Sequence, residues 1–162
     1  MSTAPIVMGT APIGKPAPNF SAQSTFGEIS LERCLGRGVI LYFYPKDNTP
    51  GCTTETQDFR DLHDEFLALS CVVIGVSRDS LKSHENFSKK LELPFPLIAD
   101  TDETVCHAYG VIKLKQMYGK QVRGIERSTF LINAEGKLVQ AWRGLKVPGH
   151  AQEVLQAARS LT

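Results

Sequence analysis

Two continuous apolar runs, 39–44 (Val-Ile-Leu-Tyr-Phe-Tyr) and 71–76 (Cys-Val-Val-Ile-Gly-Val), have the length and residue types of strands buried on both faces. Between them Phe59, Leu62, Phe66 and Leu69 recur at helical spacing among charged residues, which predicts an amphipathic helix over 52–69. Strand, helix and strand in that order form a βαβ unit with a parallel sheet. Ser80 is placed to cap a second helix running to Leu91, and Pro94 and Pro96 interrupt the chain before a short strand over 97–99. A brief helix begins near Asp102, and a basic loop follows around Lys113, Lys115, Lys120 and Arg123. Further on, 128–132 and 137–142 flank Asn133-Ala-Glu-Gly136, a hairpin signature. Val154, Leu155 and Ala158 supply the apolar face of a closing helix.

This element order is that of an α/β, thioredoxin-like fold: a central mixed sheet flanked by helices. An extra helix and strand are inserted, and an N-terminal β-hairpin extension is placed around Gly27. With 162 residues, 42% of them apolar and 22% charged, the chain suits one domain, expected over 13–162, after a flexible N-terminal segment over 1–12 rich in Ala, Pro, Gly and Thr. Eighteen basic residues face seventeen acidic ones, for a formal charge of +1 with no Lys/Arg block. That balance gives no footprint for nucleic acid or an anionic membrane, and fits small substrates or protein partners better. The first eighteen residues lack the charged start and apolar core of a signal peptide, and no run is long enough to span a bilayer. A cytoplasmic protein is expected.

The four cysteines, Cys34, Cys52, Cys71 and Cys106, are scattered, without a CxxC pair or metal-site spacing, so neither a zinc site nor a disulfide framework is expected. Cys52 is distinguished by position. It follows Thr49-Pro50-Gly51 between the first strand and its helix, at a helix start, where unpaired N–H groups and the positive end of the dipole favour a thiolate. Glu55, three residues on, falls within the first helical turn, where a carboxylate is favoured and can orient an arginine.

Pro45, Thr49 and Cys52 match the Pro-x-x-x-Thr-x-x-Cys motif of peroxiredoxins, and Thr49-Pro50-Gly51-Cys52-Thr53 resembles the peroxiredoxin Q, or bacterioferritin-comigratory protein, subfamily. The likeness covers nearly the whole chain: Ala17-Pro18-Asn19-Phe20, Gly75-Val76-Ser77, Phe95-Pro96-Leu97, 127–132 and Lys146-Val147-Pro148-Gly149-His150 occur in the same order. The resemblance implies a thiol peroxidase without a cofactor, in which the Cys52 thiolate attacks hydrogen peroxide or an organic hydroperoxide and becomes a sulfenic acid. Thr49 would bond sulfur and peroxide, Arg127 would supply a permanent charge and a fork of donors, and Pro45 would shield the thiolate. Gly51 and Glu55 would complete the substrate-binding set. The subfamily resemblance also favours a monomer.

Two places where subfamily members carry a resolving cysteine hold Gln57 and Ser88 here. Cys71 lies beyond the helix and Cys34 before the first strand, too far from Cys52 for the roughly 4.4–6.8 Å Cα separation of a disulfide. Cys106, expected one turn into a helix at the sheet edge that also carries Cys52, is the remaining internal partner. The preferred expectation is a one-cysteine mechanism resolved by thioredoxin, glutaredoxin or a small thiol. A thioredoxin-fold redox sensor or thiol–disulfide exchange protein is the alternative, disfavoured as an exchange protein by the missing CxxC. His63 and His84 are expected on solvated helix faces. His107, next to Cys106, points about 100° away on a helix and forms no catalytic pair with it.

Overall fold

The computed structural model describes residues 12–161, so all but the last residue of the segment expected to be flexible lies outside the described residues. The chain begins with a hairpin, β1 (Ser21–Ser24) and β2 (Gly27–Ser30), and a single turn, α1 (Leu31–Cys34). The βαβ unit follows: β3 (Gly38–Phe43), α2 (Pro50–Asp61), α3 (His63–Ala68) and β4 (Cys71–Ser77). Next come α4 (Leu81–Leu91), β5 (Leu97–Ala99), α5 (Thr104–Ala108), β6 (Ile112–Met117) and β7 (Lys120–Ile125). β8 (Ser128–Ile132), β9 (Leu138–Arg143) and α6 (His150–Arg159) close the fold.

Seven strands form one mixed sheet in the order β2-β1-β5-β4-β3-β8-β9, with β3, β4 and β5 parallel and the remaining pairs antiparallel. Because side chains alternate along a strand, the fully buried β3 feeds two cores. Val39, Leu41 and Phe43 enter one with Ile74, Val76, Ile98, Cys106 and Phe130, while Ile40 and Tyr42 enter the other with Phe59, Phe66, Phe87, Leu131 and Val154. Gly75 permits this packing: a Cβ there would sit 2.7 Å from Leu97 Cδ2 and 2.9 Å from the Tyr42 ring.

Four expectations are corrected. The single helix over 52–69 is two, broken at Leu62, whose φ of −99° and ψ of 4° are not helical. The basic loop around Lys113–Arg123 is the two-stranded ribbon β6–β7, turning through Tyr118 and Gly119 at positive φ. His63 and His84 are buried rather than solvated, His84 completely. Cys106 is at the expected edge but on the other face of the sheet from Cys52.

Candidate active site

The loop from β3 to α2 delivers Cys52. Thr49 is the N-cap residue with extended backbone, Pro50 occupies the first helical position where a missing N–H costs nothing, and Cys52 is the third residue of α2. The Thr53 N–H donates to Thr49 O at 2.9 Å, closing the first turn. Thr49 Oγ1 does not cap this helix; it donates to Lys46 O at 2.8 Å, leaving its lone pairs free to accept. Cys52 itself is 1% exposed, among Tyr42, Tyr44 and Phe59. Pro45 is half-buried and Gly51 exposed in the same loop.

Arg127, the residue before β8, reaches the start of α2 from the neighbouring strand. Its Nη1 donates to Glu55 Oε1 at 2.6 Å, and a Cβ at Gly51 would lie 3.3 Å from its Nη2, so glycine leaves that side of the guanidinium open. Burial works against the Arg127 charge, yet the neighbouring Glu55, which it hydrogen-bonds, and Cys52 hold its pKa above the ordinary value. The guanidinium and the start of α2 therefore present positive potential to the same sulfur. Glu55 is 1% exposed, and burial pushes its carboxyl up to about 7 against the pull of Arg127. Its second oxygen, Oε2, is buried without a hydrogen-bond partner.

Arg127 thus meets Glu55 and the Gly51–Cys52 start of α2 from a strand end, and Pro45 and Thr49 lie in the loop that leads into that helix. Two residues on from Arg127, the fully buried Thr129 Oγ1 lies 2.8 Å from His150 Nε2, and the His150 ring packs edge-on against Phe59 and Trp142. Burial lowers the His150 pKa, with Arg127 adding to the effect and Glu153 opposing it. In the sequence His150 stands only within the 146–150 motif, because a partner on β8 leaves no local signal.

Among the described residues all four cysteines are free thiols. Burial and the Asp100 carboxylate push the Cys106 thiol far above its ordinary value, which makes it a packing residue. His107 faces Glu103 at 3.2 Å and Arg123 at 2.9 Å, away from Cys106 as expected. Burial also raises the Cys34 and Cys71 thiols.

A helix-start cysteine met by an arginine and a cap threonine is the arrangement that the motif implied, and the comparisons agree in kind. The profile of the AhpC/TSA family matches residues 13–141. The chain belongs to the AhpC/TSA family. It is 55% identical over 133 residues to peroxiredoxin Bcp of Xanthomonas campestris, covering 82% of this chain and 83% of the relative. Peroxiredoxin Bcp of Bacillus subtilis is 47% identical over 154 residues, 94% of this chain and 98% of that one. A solved structure of the X. campestris bacterioferritin comigratory protein, from work on its alkyl peroxide reduction, superposes with a TM-score of 0.86 at 50% identity, covering 93% of this chain and 98% of that one. The family places the protein among the peroxiredoxins, peroxidases that take a peroxide and a thiol reductant. No helix among the described residues is long and apolar enough to cross a membrane.

Proposed function

We propose that Cys52 is the peroxidatic nucleophile of this peroxiredoxin, acting on hydrogen peroxide and organic hydroperoxides. The observation that carries the reading is the Arg127 guanidinium held by Glu55 against Gly51 in the first turn of α2, where Cys52 is the third residue. The thiolate attacks the terminal hydroxyl oxygen of the peroxide: the S–O bond forms as the O–O bond breaks, sulfur is oxidised to sulfenic acid, and the leaving oxygen takes a proton to become water or an alcohol. Arg127 and the accepting and donating hydroxyl of Thr49 hold the peroxide in line and offset charge on the departing oxygen, while Pro45 and Gly51 shape the approach. Glu55 is a positioning residue that holds Arg127 at 2.6 Å.

Resolution falls to an external thiol, thioredoxin, glutaredoxin or a small thiol, which attacks the sulfenic sulfur, forms a mixed disulfide and releases water. Cys106 is across the sheet from Cys52, and Cys71 pairs in register with Gly38 at the start of β3 while Cys52 follows its end. The protein acts as a single-domain monomer in the cytoplasm. Treating the reduced protein with one equivalent of peroxide, trapping sulfenic acid and mapping disulfides under non-reducing conditions tests both halves. An adduct confined to Cys52 is expected; modification elsewhere with Cys52 untouched refutes the site, and an intramolecular disulfide refutes external resolution.

A further inference from the structure

Beneath the loop that carries Cys52 lies a buried polar network that the proposed chemistry does not use. Asp47, five residues before Cys52, is 4% exposed, and His84 on α4 is 0% exposed. The Tyr44 hydroxyl donates to Asp47 Oδ1 at 2.7 Å, and the Ser83 hydroxyl donates to Asp47 Oδ2 at 2.8 Å. His84 Nδ1 lies 2.7 Å from the same Oδ2, and its Nε2 lies 2.9 Å from the Ile98 carbonyl on β5, so each ring nitrogen faces an acceptor. The Asp47 N–H donates to Asp79 Oδ2 at 2.9 Å, and Asp79 in turn accepts from the Ser77 hydroxyl at the end of β4. The carboxylate oxygens of Asp47 and Asp79 and a ring nitrogen of His84 lie within 4.8 Å of one another, and both Asp47 oxygens already accept hydrogen bonds.

A carboxylate and an imidazole this deeply buried bring a desolvation cost that apolar residues of the same size would avoid, so the network is better read as specifying geometry than as adding stability. What it specifies is the seat of one turn. Residues 45–49 contain Asn48 at a φ of 66° and the Thr49-to-Lys46 bond within the turn, whereas Asp47 ties the turn to the ends of β4 and β5 and to α4. We propose that His84, acting through Asp47, is a positioning residue that sets where Thr49 and Cys52 sit relative to Arg127. The proposal rests on the reading of Cys52 as the peroxidatic nucleophile.

Reaction with peroxide needs sulfur, Thr49 and Arg127 in register, whereas alkylation by iodoacetamide needs only an accessible thiolate. The test therefore measures both second-order rate constants at Cys52, with hydrogen peroxide by stopped flow and with iodoacetamide, on reduced wild type, His84→Gln, Asp47→Asn and Ser83→Ala. For His84→Gln and Asp47→Asn the peroxide rate is expected to fall on the order of 10- to 100-fold while alkylation is unchanged. Ser83→Ala, which removes one donor to Asp47 from the helix surface, is expected to lose about threefold in the peroxide rate alone. Wild-type peroxide rates in folded His84→Gln and Asp47→Asn, or equal loss of both rates, overturn the proposal. Should those two fail to fold, Ser83→Ala decides by the same pair of readouts. Failure of the underlying reading is separately visible as undiminished peroxide consumption by Cys52→Ser, and the positioning role then falls with it.

Discussion

The Glu55 carboxyl and the Arg127 guanidinium, 2.6 Å apart, share the sulfur's surroundings but respond differently to burial. Arginine stays charged, whereas Glu55 is raised from 4.5 to about 7 by desolvation. Because the folded-state pKa is above the unfolded one, the folded protein binds the extra proton between those values. The associated stability is fully present below about pH 4.5 and is lost as pH rises through about 7. Glu55→Gln removes this dependence. Urea unfolding from pH 5 to 8 should therefore show the variant gaining on wild type with rising pH, by up to about 3 kcal/mol at the top of the range. In the same variant the peroxide rate should fall at pH 8, where wild-type Glu55 is charged and holds Arg127, and approach wild type at pH 6. A constant ratio across pH would refute the positioning of Arg127 by the Glu55 carboxylate.

His63 and His84, expected on solvated faces, are buried on apolar helix stripes. His84, Phe87 and Leu91 stand at helical spacing on the buried stripe of α4, and Phe59, His63 and Phe66 do so across α2 and α3. A histidine on such a stripe reads as polar only until a partner is found, and the His84 partners come from residues 47 and 98.

At the scale of elements, strands declared themselves by continuous apolar runs because burial on both faces demands them. The break at Leu62 did not, since the apolar spacing of residues 59, 62, 66 and 69 runs through it and no glycine or proline marks it. The ribbon β6–β7 was hidden for the opposite reason. Its exposed Lys113, Leu114, Lys120 and Arg123 pack on no core, and its turn uses Tyr118, 97% exposed, where Asn or Asp would signal a hairpin. The start of helix α4 is legible in the sequence because Ser80 caps it, its Oγ accepting from the Ser83 N–H at 3.1 Å. Ser80→Ala should cost about 1 kcal/mol in urea unfolding. The Ser80 hydroxyl bonds only the Ser83 N–H, and the Ser80 carbonyl that accepts from the His84 N–H at 3.0 Å is kept in the variant, so a loss of stability without loss of peroxide rate would mark the cap as purely structural.

Across the whole molecule, the sheet decides which thiols can meet. Cys52 and Cys106 follow parallel strands and leave from one edge, but the alternation along β3 divides them between separate cores. Cys106→Ala should therefore support peroxide turnover with an added thiol reductant at the wild-type rate, measured by loss of peroxide. A marked fall in that rate would return Cys106 to the cycle. The local chemistry was set by the amino-acid sequence alone: a thiol behind Thr49-Pro50-Gly51 at a helix start, strands where both faces must be apolar, and the family to which those motifs belong. Only the tertiary structure decided that Arg127 arrives from β8, that Cys106 lies across the sheet, and that His84 holds Asp47 beneath the turn. Neighbours along the chain share backbone geometry that residue type controls directly. Partners 37 to 75 residues apart meet only through strand register and the burial of two cores, which no local pattern encodes.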